Sequence, residues 1–253
     1  MKGNKKEFVV YTCLTGDYEK NPVKKHILED DIKYICFSDN EASVPDGWEF
    51  RSIDNLNHLT NKDKNRYIKL HPHKFLKDFN VSIYIDSNIQ VINKLSDFFF
   101  YIKEHPDSIF MYEHPFRKCT YKEIEMVVKQ GLASFFKAKK QYQRYRDSSF
   151  PSNFGLFEAN IIIRKHDKNT YKLMRYWWSE YQNSSKRDQT TLPFSSYQTD
   201  VKIHSLGPCN LRNGGEYFYL DFSRRVRRLD IIVKTFAFRF YNNTLFLIGL
   251  SLR

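Results

Sequence analysis

Short runs of β-branched and aromatic residues recur along this chain, and several end on a polar tip. FVVYTCL at 8–14, KYICFSD at 33–39, VSIYID at 81–86, SIFMYEHP at 108–115 and the triple Ile161, Ile162, Ile163 read as strands. Helix-period segments separate them. Residues 62–77 place Tyr67, Ile68, Leu70, His71, Phe75 and Leu76 on such a period, with Pro72 as cap or kink. KLSDFFFYIKEHPD predicts a helix stopped before Pro106, and residues 121–146 predict one long exposed helix. Residues 168–182 predict another, in which the adjacent Trp177 and Trp178 cannot share a face. SKRDQTTLPFSSYQ begins a helix near Asp188, and VKIHSLG at 201–207 is a late short strand. Strands alternating with helices give an α/β fold around a mixed, mostly parallel sheet. With 253 residues, 41% of them hydrophobic, and no internal repeat, one domain over 1–222 and a tail over 223–253 is the simplest division.

The formal charge is +12, and half of it sits in the tail, where residues 223–253 carry seven Arg or Lys against one Asp. Val226, Leu229, Val233, Phe236 and Phe240 fall on one helical face there, while Arg224, Arg225 and Arg228 cover another. This pattern predicts a C-terminal amphipathic helix resting on anionic lipid; packing on the main domain or in a homodimer interface is the alternative. A nucleic-acid partner is not expected, because no basic-aromatic alternation accompanies the arginines. The four cysteines, at 13, 36, 119 and 209, lack the close spacing of a zinc site and read as reduced thiols. The opening MKGNKKEFVVYTCL is too short in apolar residues for a signal peptide, and no run approaches the roughly 20 residues of a membrane span. A cytoplasmic protein, peripheral at most on the inner face of the cell membrane, is expected.

Ligands of such sheets collect at the carboxyl ends of strands, where Asp39, Asp86 and the Glu113/His114 pair fall. Asp86 and Asn88 lie two apart at the end of YIDSN, so both oxygens can reach one hard divalent ion. The alternative is a turn or helix cap. Immediately upstream, Lys62, Arg66 and Lys69 share one helical face and can neutralise a diphosphate, or can be solvated surface cations. His204 in KIHSLG is the candidate third ligand for Mn²⁺, against a structural histidine at a strand end.

Taken together, YTCLTGDY, YICFSD, NKDKNRYIKLHPHKFL, YIDSNIQV, EHPFRKCTYKE, NFGLFEANIIIRKH and SKRDQTTLPF resemble a glycosyltransferase-like domain family. It includes plant proteins linked to mucilage polysaccharide and turgor regulation, with bacterial members in polysaccharide loci; the resemblance covers residues 8–206. It implies a GT-A-like fold, a UDP-sugar donor and Mn²⁺ or Mg²⁺ held at a DxD-like pair, here Asp86 and Asn88. A more distant likeness to retaining transferases of the glycogenin type matches HSLG at 204–207, although the basic-aromatic ending is replaced by PCN. The resemblance puts Thr12, Tyr18 and Asp39 beside the nucleoside and Lys62, Arg66 and Lys69 around the diphosphate. His114, Arg117, Asn153, Glu158, Asp188 and Gln189 then meet the donor sugar or acceptor, with Glu158 or Asp188 as base if the reaction inverts. The expected activity is retaining transfer to a glycan or lipid-linked acceptor in surface polysaccharide synthesis. A noncatalytic glycan- or membrane-binding module is the competing reading.

Overall fold

The computed structural model describes residues 6–16, 23, 25–211, 215–221 and 229–252. Tyr18 and the Arg224, Arg225, Val226 and Arg228 cluster lie outside them.

A seven-stranded mixed sheet forms the centre. Its strands are β1 (Lys6–Leu14), β2 (Ile32–Ser38), β3 (Glu49–Ser52), β4 (Phe79–Ile85), β6 (Ile109–Glu113), β7 (Ile161–Lys165) and β8 (His204–Pro208), in the order β3-β2-β1-β4-β7-β6-β8. Neighbours are parallel except at β7, which runs antiparallel to both β4 and β6. The reversal has a consequence for the site: the residues that precede β7 lie at the same sheet edge as the residues that follow β1 and β4. A two-stranded ribbon of β5 (Ile89–Val91) and β9 (Phe218–Leu220) extends that edge.

The inner strands β1, β4 and β7 are apolar on both faces, as a sheet covered on both sides requires. Phe8, Val10, Ile83, Ile85, Ile161 and Ile163 point to one layer, closed by α3 (Ser96–Glu104) through Phe98, Phe99 and Ile102. Val9, Tyr11, Ile35, Tyr84 and Ile162 point to the other, covered by α1 (Asn61–Leu70) and α6 (Lys168–Asn183) through Ile68, Leu173, Met174 and Trp177. Trp177 is buried, and Trp178 packs edge-on against Tyr67 on the same side. Pro72 splits the first predicted helix into α1 and the single turn α2 (Pro72–Phe75).

The long exposed helix expected over 121–146 is instead a hairpin of α4 (Thr120–Lys129) and α5 (Phe135–Asp147). Gly131 breaks it with φ +72°, a conformation that side chains resist. Nor is it an exposed element, for Ile124, Val128, Tyr142 and Tyr145 are buried in a third cluster with Phe194 of α7 (Asp188–Thr199). Strand β8 begins at His204, three residues later than VKIHSLG suggested.

Helix α8 (Leu229–Leu247) docks on this hairpin. Leu245, Phe246 and Leu252 join its apolar cluster. Asn242, fully buried, donates from Nδ2 to two carbonyls of the chain reversal, those of Val128 (2.8 Å), which also accepts the Gly131 N–H, and Ala133 (3.0 Å). A methyl group on Gly131 would stand 2.3 Å from the Thr235 carbonyl, so the helix approaches only because that residue is glycine. Asn242→Ala is expected to lower the unfolding free energy by about 1–3 kcal/mol, since the Ala133 carbonyl loses its side-chain donor and the Val128 carbonyl one of two. Urea denaturation checks this, and an unchanged midpoint would show that α8 is not held by that contact.

Candidate functional site

At the edge defined by the ends of β1 and β4 and the start of β7 lies a cavity of about 440 Å³. Its size is within the ~300–1,000 Å³ of small-molecule sites. Thr15 and Gly16 follow β1, Asp86, Ser87 and Asn88 follow β4, and Glu158, Ala159 and Asn160 precede β7. Helix α1 contributes Asn61, Lys62, Asn65, Arg66 and Lys69, and the start of α7 contributes Arg187, Asp188 and Gln189. The N-termini of α1 and α7 therefore both open on the cavity, which favours an anion there.

The spacing of Lys62, Arg66 and Lys69 does put all three on one wall. Two of them are already ion-paired. Asp188 Oδ2 accepts Lys69 Nζ at 2.8 Å and lies 2.9 Å from Arg66 Nε. Asp188 and Lys69 are buried. Burial alone would push the Asp188 carboxyl up, but Arg66, Lys69 and Arg187 hold it far below its ordinary value; the same carboxylate and Asp86 hold Arg66 above its own. An ionised carboxylate so neutralised is a weak proton acceptor, so Asp188 fits the counter-charge of the cationic wall better than a base. Lys62 differs: its side chain is exposed to the cleft, its Nζ donates to the Lys186 carbonyl at 2.8 Å, and desolvation together with Arg187 and Arg66 lowers its pKa to about 8.

Asp86 Oδ1 accepts the Tyr84 hydroxyl at 2.9 Å and lies 3.7 Å from Lys69 Nζ. The Asn88 side chain is buried, lines the same cavity and makes no hydrogen bond to a described residue. This pair offers oxygen ligands to a hard divalent ion. The residues fit a metal whose remaining ligands come from a bound phosphate and water.

His204 does not join them. It opens β8 opposite Phe110, three strands from β4 and about 14 Å away laterally by strand spacing, and bonds Asp107 instead. Its position as third ligand is therefore corrected: the chain reaches the cavity from β8 only at Cys209, at the other end of the strand. Asp39 is also used differently, its two oxygens each accepting the Gly16 N–H at 2.9 Å, which fixes the turn after β1. Thr12 is buried beside the cavity in a small crevice with His26 and Trp48, and its hydroxyl has no hydrogen-bond partner among the described residues.

Of the predicted sugar contacts, Glu158, Asp188 and Gln189 line the cavity, and Asn153 is exposed in a turn outside it. His114 and Arg117 sit behind Glu158: His114 Nε2 is 3.8 Å from Glu158 Oε1, and Arg117 pairs with Glu123. Sequence reasoning missed Arg187, Asn160 and Asn65. Besides Arg66 Nε, which meets Asp188 as an ion pair, three buried atoms at the cavity lack a hydrogen-bond partner among the described residues: Asn160 Oδ1, Arg187 Nε and Gln189 Nε2. Each costs about 1–3 kcal/mol unless something pairs it, which points to a polar ligand.

The profile of the TOD1/MUCI70, glycosyltransferase-like domain matches residues 38–213. The chain belongs to this family. Its matched stretch runs from the end of β2 past β8 and so contains most of the cavity wall. Among solved structures, mouse xyloside xylosyltransferase 1 in its apo form aligns at a TM-score of 0.49 with 11% identity, over 85% of this chain and 98% of that one. The apo bifunctional glycosyltransferase WbbM aligns at 0.48 with 15% identity, over 92% of this chain but 44% of that one. No curated protein matches this member of the family.

The Asp188 clamp can be tested directly. Asp188→Asn leaves two cations in the wall without their counter-charge and is expected to cost about 3–5 kcal/mol at pH 7. Because the folded carboxyl titrates below its ordinary value of 3.8, its stabilisation is complete above that pH and is lost as pH falls below it. The loss is up to about 1.4 kcal/mol per pH unit. In urea unfolding series from pH 7 to pH 3, the gap between wild type and variant should stay constant down to pH 4 and then narrow; a constant gap to pH 3 would rule the clamp out.

Proposed function

We propose that this chain transfers a sugar from a nucleoside diphosphate sugar, with uridine as the expected carrier, to a hydroxyl of a glycan or lipid-linked acceptor in surface polysaccharide synthesis. The observation that carries this reading is the cavity of a glycosyltransferase-like family member, in which cations and partnerless polar atoms face the Asp86/Asn88 tip. Lys62 and Arg187 are the cations that meet the diphosphate, while Arg66 and Lys69 stand behind them with Asp188. Glu158, Asn160 and Gln189 provide the acceptors and donors that sugar hydroxyls need, and their desolvated setting raises the cost of a mismatched hydroxyl. Mg²⁺ or Mn²⁺ held by Asp86 and Asn88 would offset charge on the departing diphosphate.

Retention is the stereochemical course we favour. Asp188 is neutralised and Asp86 lies on the phosphate side, so in this reading the acceptor proton goes to the leaving phosphate oxygen and Glu158 orients the acceptor. A panel of nucleotide sugars with Mg²⁺ or Mn²⁺, read by nucleoside diphosphate release, is expected to show turnover that Asp86→Ala reduces by about 100-fold or more. Glu158→Gln should keep measurable transfer. Binding of donors without turnover would favour a glycan-binding module, and unchanged turnover in Asp86→Ala would reject the assigned site.

We further infer that α8 places the enzyme on an anionic membrane, which makes a lipid-linked acceptor accessible at the cytoplasmic face. Among the described residues no helix is long and apolar enough to cross a membrane. Yet Leu229, Val233, Phe236, Phe240 and Leu247 are 60–84% exposed. At 3.6 residues per turn these five lie within about 60° of one another along about 27 Å of helix, opposite the Asn242 face that docks. The four arginines at 224, 225, 227 and 228 immediately precede this stripe. A second copy apposed through it would bring two such basic tails together, whereas anionic lipid complements them. Flotation with phosphatidylserine vesicles is expected for the wild type and not for Phe236→Glu/Phe240→Glu. Equal flotation of the two, or a dimer in light scattering that the double variant dissolves, would overturn the membrane reading.

A further inference from the structure

The histidine displaced from the cavity has its own partners. His105 and Asp107 lie in the turn between α3 and β6, and the β6–β8 pairing sets His204 opposite Phe110, so the three side chains meet at the edge of the sheet. Asp107 Oδ2 is 3.0 Å from His204 Nδ1 and 3.7 Å from His105 Nδ1. The two imidazoles cross edge-on with centroids 4.2 Å apart. One ligand atom from each of the three residues lies within 4.8 Å of the other two.

The protonation pattern is specific. The backbone N–H of Asp107 donates to His105 Nδ1 at 3.1 Å, which keeps that nitrogen in its unprotonated form. His105 Nδ1 therefore has no proton to give the carboxylate beside it, and its one lone pair holds the Asp107 N–H, which an entering cation would displace. The turn is held from outside, because Lys165 Nζ donates to the carbonyls of Lys103 and His105. The side chains of His105, Asp107 and His204 are 19%, 24% and 28% exposed, open enough to admit an ion and enclosed enough to hold their geometry.

We propose that His105, Asp107 and His204 bind a transition-metal ion of the Zn²⁺ class, at a site separate from the nucleotide cavity. Two imidazoles and one carboxylate match Zn²⁺, with water as a fourth ligand, whereas Mg²⁺ and Ca²⁺ select all-oxygen sets such as Asp86 and Asn88. None of the three residues lines the cavity. The ion staples the turn before β6 to the edge strand β8, whose far end carries Cys209 into the cavity wall. Its role is to fix that strand.

Calorimetric titration of the full chain, stripped with a chelator and then dialysed, tests the site. Asp86→Ala serves as the background, so that the cavity pair does not contribute. Zn²⁺ is expected to bind at about one equivalent and to raise the melting temperature, and Mg²⁺ to do neither. His204→Gln and His105→Gln should each weaken Zn²⁺ binding by roughly tenfold or more, and the visible spectrum of bound Co²⁺ should disappear with them. Circular dichroism establishes that each variant is folded, with Asp107→Asn as the substitute where a histidine variant is not. Zn²⁺ affinity unchanged in the folded variants, or no Zn²⁺ uptake by the parent chain, would overturn the proposal.

Discussion

The carboxylate of Asp188 is the interaction on which the cavity depends. It sits at the first residue of α7 and receives Arg66 and Lys69 from α1, more than a hundred residues earlier in the chain. Two cations brought that close on one helical face would repel each other and resist burial. The buried carboxylate offsets both effects and fixes α7 against α1. The backbone on each side is anchored as well: Trp177 Nε1 donates to the Asp188 carbonyl, while the Tyr11 hydroxyl and Arg164 donate to the carbonyl of Lys69. Strands β1 and β7 and helix α6 are thereby tied to the same few atoms.

This arrangement separates two kinds of cation. Arg66 and Lys69 are neutralised within the wall, so they shape the field without drawing an anion onto themselves. Lys62 is exposed and Arg187 half-buried, neither is ion-paired to Asp188 at contact distance, and Lys62, with a pKa near 8, keeps most of its charge at neutral pH. A carboxylate that preorganises the wall costs the protein desolvation once, at folding, and leaves less rearrangement to be done when a ligand binds.

The sheet and most helices were legible because apolar period and proline position act locally. The cationic wall was legible for the same reason, as Lys62, Arg66 and Lys69 need only a helical period to converge. What local pattern could not supply was strand direction. Ile161–Ile163 reads as a strand in either sense, and only its antiparallel pairing with β4 brings Glu158 and Asn160 to the carboxyl edge. Arg187 had a signal in its adjacency to Asp188, but nothing local distinguishes it from a solvated lysine or arginine. His204 was misplaced through the comparison with a short turn motif, because the register that sets it opposite Phe110 is a long-range property. Asp39 lies at a strand tip as expected, yet the N–H it accepts comes from Gly16, whose positive φ no periodicity reveals.

Helix α8 shows the limit of periodicity from another side. Val233, Phe236 and Phe240 mark one apolar face in the sequence, and the ordinary inference is that such a face packs inward. Here it is the outward face, and the inward one is chosen by groups with little hydropathic signal. Asn242 donates to two carbonyls that the α4–α5 reversal turns toward the helix, and Gly131 supplies the space for the backbone to come close. Polar complementarity at a chain reversal thus decides which side of an apolar helix is covered. The stripe of Leu229, Val233, Phe236, Phe240 and Leu247 stays exposed among the described residues, because the contacts that fix the helix all lie on its other side.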